Sequence, residues 1–189
     1  GIRQFDEGAA LQRVLEVFWQ KGFGPTSMQD LAEATGVQRG SLYNAYGDKE
    51  SLFLHVFEQY KNDILDEVRA SLEQPRLEDA LRAFFNFAIT SMTTGKPTRG
   101  CLTTKTATDI NAAGDKIREA LQSLIAGMEA ALEARLSTAE AIPQLRLLPA
   151  EAARLLVTLT RGIVVMERIY QDPARLRATA EAMIKTLIN

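Results

Sequence analysis

Cysteine and histidine are nearly missing from this chain: Cys101 and His55 are the only ones among 189 residues. A single cysteine cannot close an internal disulfide, and one Cys with one His is too small a ligand set for a zinc site. Scarce histidine also removes the commonest general base. No GxxxxGK[ST] phosphate loop stands in for it, so no catalytic residue, metal or cofactor is expected and an enzyme is disfavoured. Long apolar runs are lacking too. None approaches the ~18 residues a membrane span needs, and the opening Gly1-Ile2-Arg3-Gln4-Phe5-Asp6 is polar, so a cytoplasmic protein without membrane contact is expected. Positive charge is also short. The net charge is −2, and residues 1–50 set Arg3, Arg13, Lys21, Arg39 and Lys49 against seven Asp and Glu. Bulk charge therefore does not advertise nucleic-acid binding, although a local contact face would suffice for it.

Strand patterns are absent as well, and what remains reads as helix from end to end, an all-α chain rich in Ala, Leu, Glu, Arg and Gln. Leu11, Val14, Leu15, Phe18 and Trp19 form one apolar stripe over about 6–21, capped by Asp6 and stopped by Gly22. A short helix over 28–35 follows the turn Gly24-Pro25-Thr26-Ser27. Gly36 breaks it, and a second short helix covers about 38–43. Asp48 caps a long linking helix over about 48–72. Further helices are expected over 77–93, 101–112 and 115–136, then a looser stretch over 137–148. Pro149 begins a helix to Tyr170 that is apolar on more than one face, and Asp172-Pro173 begins the last. The expected organisation is a three-helix helix-turn-helix domain over 1–50 and a larger helical domain over 51–189 that binds ligand and dimerises.

The informative stretch is 22–54, GFGPTSMQDLAEATGVQRGSLYNAYGDKESLFL. Two short helices joined at a glycine make a helix-turn-helix. Leu31, Ala32, Val37 and Leu42 face inward. The second helix opens with Gln38, Arg39, Gly40 and Ser41, which would lie at base edges in a major groove. Arg39 suits guanine, Gln38 suits adenine, and Gly40 lets the backbone approach closely.

The same stretch resembles the TetR family of transcription regulators. The resemblance rests on Gly22-Phe23, Thr26-Ser27, Asp30-Leu31-Ala32, Gly36-Val37, Gly40-Ser41-Leu42-Tyr43, Tyr46 and Lys49-Glu50-Ser51-Leu52. Thr35 stands where Ala is common, and Gln38 where Ser often is, which bears on operator preference. The resemblance implies phosphate contacts from Thr26, Ser27, Tyr43 and Lys49, and base contacts from Gln38, Arg39, Gly40, Ser41 and Asn44. It makes Arg3 the remnant of a basic arm, and Tyr46 an aromatic packed under the motif.

It also implies a ligand pocket among the middle helices, for which Phe84, Phe85, Phe87, Met92, Cys101, Lys105, Met128 and Arg161 are candidates. Most of these could equally be plain core. Gly100-Cys101-Leu102 resembles a segment of a subgroup with cysteine-based sensors, and Lys105, one turn on, would lower the thiol pKa; the other reading is a small buried side chain. Arg161 and Glu167 read either as an ion pair at a dimer interface or as polar groups of the pocket. His55 reads as a surface or packing residue. The expected mechanism is a repressor, dimeric through about 149–188 and bound to double-stranded operator DNA. An unidentified small-molecule inducer would release it by favouring a state in which the long helix has swung. The alternatives are a ligand-binding or adaptor protein that does not bind DNA, and a small helical enzyme.

Overall fold

Apolar residues recurring at three and four positions make helices that bury one face. The computed structural model, which describes residues 6–95, 98–109 and 114–189, consists of such helices. They are α1 (Glu7–Lys21), α2 (Met28–Thr35), α3 (Arg39–Tyr46), α4 (Lys49–Ser71), α5 (Leu77–Thr93), α6 (Leu102–Thr108), α7 (Asp115–Leu136), α8 (Pro149–Tyr170) and α9 (Pro173–Leu187). A 3-10 turn, Ile142–Gln144, and a single β-bridge between Leu145 and Ile188 supply the order within the looser stretch. Arg3, Lys96 and Pro97 of the expected arm and loop, and the expected end of α6 near Ala112, lie outside the described residues. Among those described, no helix is long and apolar enough to cross a membrane.

The chain divides into two compact units, Gly1–Asn62 with Leu102–Gln122, and Asp63–Cys101 with Ser123–Asn189. The first unit thus takes in α4 as far as Asn62, together with Leu102–Gln122. The α4 and α7 helices each continue from one unit into the other, and α6 joins the N-terminal unit.

The first unit is built on rings. Phe18 meets Phe53 edge-on at 5.1 Å, Phe23 meets Phe53 at 5.2 Å, and Phe53 stacks on Phe57 at 5.4 Å. Each such pair adds about 0.5–1.5 kcal/mol beyond area burial. Helix ends are satisfied as the cap residues require. Asp6 accepts from the Ala9 N–H, and Gly22, at φ +88, ends α1 with its N–H on the Phe18 carbonyl. The Lys105 ammonium then takes the Trp19 and Gln20 carbonyls, at 2.6 and 2.8 Å, where a cation also offsets the helix dipole.

In the second unit α5 packs against α8 and α9, and Leu81, Phe84, Phe85, Ile89, Leu156, Ile163 and Ile184 on these helices are all buried. Arg82 clamps Glu181 with two hydrogen bonds, at 2.9 and 2.6 Å, and reaches Glu78 and Asp79. Glu181, then Glu78, hold its guanidinium firmly protonated. Arg135 satisfies the Leu72, Gln74 and Pro75 carbonyls and so fastens the turn between α4 and α5.

Candidate nucleic-acid interface

The α2–turn–α3 segment turns on Gly36, whose left-handed backbone (φ +70) points its N–H at the Ala32 carbonyl. An L side chain strains that conformation. Thr35 reinforces the turn by donating to the Leu31 carbonyl and accepting from the Val37 N–H. Leu31, Ala32, Val37 and Leu42 are buried as their spacing requires, and Leu42, 1% exposed, is the buried residue of α3.

Around Leu42 the rest of α3 is open. Gln38, Arg39, Gly40, Ser41 and Asn44 are exposed, and Tyr43 is 47% exposed. Gln38 begins the helix without spending its side chain on a cap. A Cβ built on Gly40 would meet nothing within 4 Å. Nothing inside the described chain therefore calls for glycine there, whereas close approach by an outside surface would. The helix runs to Tyr46, one turn further than its sequence pattern gives. That turn is held by the Tyr46 hydroxyl, which donates to Glu7 on α1 at 2.6 Å. Burial, with the Glu7 carboxylate second, pushes the phenol up to about 12.

The expected phosphate contacts divide. Tyr43 faces outward. Ser27 is exposed at the start of α2, but its hydroxyl and N–H are engaged with Asp30 in a capping box, at 2.6 and 2.8 Å. Asp30 also pairs with Lys21 at 2.5 Å. Lys21, then Ser27, hold its carboxyl well below the usual range. Thr26 departs from the expectation. It is 2% exposed, and its hydroxyl donates to the Gly22 carbonyl at 2.6 Å, so it closes α1 instead of facing solvent. Lys49 departs too. Its ammonium donates to the Phe23 and Gly24 carbonyls at 2.9 and 3.3 Å and sits 4.3 Å above the Phe23 ring, and burial lowers its pKa. Thr26 answers the carbonyl of the α1 cap and Lys49 those of the loop that follows it, needs their sequence positions do not advertise.

Of the expected pocket residues, Phe84, Phe85, Met92, Cys101 and Met128 are buried in the second unit, and Phe87 is half-buried there. Arg161 reaches the same unit's Cys101, donating to its Sγ at 3.3 Å. Lys105 is the exception. It belongs to the first unit and directs its ammonium at α1, while Arg161 donates to the thiol sulfur. Glu167 is buried within the single chain, and Arg161 is half-buried. Sequence reasoning did not find the cleft of about 450 Å³ between α1 and α4, floored by Leu11, Leu15 and Val56 and rimmed by His55. Among the described residues no group of three or more His, Cys, Asp or Glu is placed to hold a metal ion.

Comparison with known proteins fits both units. Residues 11–56 match the family model for bacterial regulatory proteins of the tetR family, and residues 78–183 match that for the tetracyclin repressor-like C-terminal domain. The transcriptional repressor ComR of Escherichia coli is 35% identical over 132 residues, 68% of this chain and 62% of that protein. The chain thus spans between half and two thirds of the curated relatives that it matches first. Among solved structures, the regulator CifR, as a cysteine mutant complexed with a 26-bp double-strand operator, is 26% identical with a TM-score of 0.84, covering 97% of both chains. Reduced NemR of E. coli shares the fold, with a TM-score of 0.86 at 20% identity and 96% coverage of each chain.

Proposed function

Since this chain belongs to the TetR family of bacterial regulatory proteins, we propose that it is a transcriptional repressor that binds double-stranded operator DNA as a homodimer and is released by a small molecule. It acts by binding, not by catalysis. One observation carries the reading: Gln38, Arg39, Gly40, Ser41, Tyr43 and Asn44 form an exposed polar row on a short helix whose orientation is set by the buried Leu42 behind it. Such a helix lies in the major groove with its N-terminal residues at base edges, and Arg39 has the fork that reads guanine. Two copies joined through α8 and α9 would present two such helices to half-sites one DNA turn apart, in keeping with the 26-bp duplex held by CifR. A ligand seated among the middle helices lowers DNA affinity only if it prefers the state that misplaces the reading helices.

The runner-up is an adaptor that no longer binds DNA, and one observation favours it. Lys21 is paired with Asp30 and Lys49 is turned inward, which subtracts from an already thin supply of cations. Two measurements separate the readings. Selection from a random duplex library with the parent protein enriches a two-fold symmetric site. Its affinity falls with salt by about 0.9 log units per log unit for each phosphate neutralised. The Arg39→Ala protein keeps weak, salt-dependent binding but loses about 1–3 kcal/mol of discrimination between that site and random duplex. No enrichment and no salt dependence would leave the adaptor.

A further inference from the structure

Among the described residues of the second unit, Glu167 is the charged side chain that is buried. It is 1% exposed, in the last turn of α8. Its Oε1 accepts from the Thr98 hydroxyl at 2.7 Å, while its Oε2 is buried with no hydrogen-bond partner among the described residues. The Arg168 Nε lies 3.9 Å from that oxygen, too far for a hydrogen bond, and Arg168 Nη2 is given to the Arg99 carbonyl. Arg161, six residues earlier on α8, is turned to Cys101 and Thr160. Three penalties thus meet on one carboxylate. A buried charge needs full pairing, an unmet buried acceptor forfeits its hydration, and a negative charge at a helix C-terminus opposes the dipole.

A group kept under those conditions is ready for a donor from outside the chain. We propose that Glu167 anchors a cationic ligand, an organic ammonium or amidinium on an apolar body, whose N–H reaches Oε2. This rests on the reading that the second unit binds a small molecule, and it names that molecule's class. A charged donor supplies the missing hydrogen bond and a countercharge closer than the Arg168 guanidinium, whose Nε stands 3.9 Å off. A neutral alcohol supplies only the first, and a carboxylate is repelled. The apolar body follows from the make-up of this unit's interior, which is built mainly from apolar side chains such as Phe84, Phe85, Met92 and Val164.

The test uses one body with three heads: hexylammonium, hexanol and hexanoate, titrated into the full chain by calorimetry. Hexylammonium binds best and hexanoate worst, and Glu167→Gln weakens the ammonium roughly 10- to 100-fold while leaving hexanol unchanged. Without ligand, Glu167→Met melts at or above the parent temperature, because a buried carboxylate short of one hydrogen bond has been replaced by an apolar chain. Equal binding of the three heads by the parent overturns the proposal, and needs no variant that folds. So does an unchanged ammonium affinity in Glu167→Gln, or a marked fall in the melting temperature of Glu167→Met, which would make the carboxylate structural. Anisotropy of the selected duplex separates this from the repressor reading. Ammonium binding that leaves DNA bound supports the Glu167 site and counts against ligand-driven release. Release by hexanoate without ammonium binding does the reverse.

Discussion

Lys49 shows how a residue's role depends on where its ammonium ends. Its place after the helix-turn-helix resembles that of a phosphate contact, yet the side chain folds back over Phe23 and donates to two carbonyls of the loop before α2. Burial accordingly makes its proton easier to lose. The two roles predict different numbers. As a brace, Lys49→Gln costs about 2–4 kcal/mol in urea unfolding, from its charged hydrogen bonds and one cation–ring contact, and leaves the salt slope of DNA binding as it was. As a phosphate contact, the same substitution spares stability and lowers the slope by about 0.9. The geometry favours the first result. Thr26 follows the same logic. Its hydroxyl cannot serve a phosphate while it closes α1, whereas Ser27, one residue on, remains at the surface within its capping box.

At the scale of elements, α3 is held to α1 by the Tyr46–Glu7 hydrogen bond, which spans 39 positions of sequence. The phenol's pKa is raised to about 12, first by burial and then by Glu7, so the neutral, donating form is favoured in the folded state. The folded value lies above the unfolded value of about 10. The tie is therefore intact below pH 10 and is lost as the pH climbs towards 12. The ultraviolet titration of the parent minus that of Tyr46→Phe isolates this phenol, and its midpoint is expected near 12. A midpoint near the ordinary value of about 10 would mean that α3 is not held this way. The same tie shows what the sequence discloses and what it withholds. Helix ends set by local chemistry were legible: Asp6 and Asp172 as caps, Gly22 as a stop, Pro149 as a first helical residue. So was the inward set Leu31, Ala32, Val37 and Leu42, since periodicity alone dictates it. The last turn of α3 was not legible, because Glu7 holds it from another helix. Nor were the partners of Lys105, 85 and 86 positions away on α1, or the burial of Glu167 under Thr98. Residue type and spacing identify a group that needs a partner, but only tertiary placement supplies one.

At the scale of the whole molecule, α8 has two kinds of face. One is buried within its own unit by Leu156, Val157, Ile163 and Val164. The other leaves Leu155, Val165, Met166 and Ile169 in solvent, with Ile169 62% exposed. Leu155, Gly162 and Ile169 stand seven residues apart, the repeat by which two helices keep one seam in contact. Gly162 lies in that seam with nothing within 4 Å of where a Cβ would be. Within the single chain, Gly162→Ala therefore meets no obstacle and should stabilise α8 by about 1 kcal/mol through helix propensity. The proposed homodimer reverses this sign for larger groups, because a second α8 crossing at a glycine has no room for a leucine. Gly162→Leu is then expected to keep its helical circular dichroism while its dimer, followed by sedimentation equilibrium, dissociates at higher protein concentration than the parent's. Ile169→Glu, which sets a charge in the same seam, should do so more strongly, and the monomer it releases should bind one half-site with most of the two-site affinity gone. If both variants sediment as the parent does, α8 is not the seam, and the paired reading helices must be brought to DNA by some other surface.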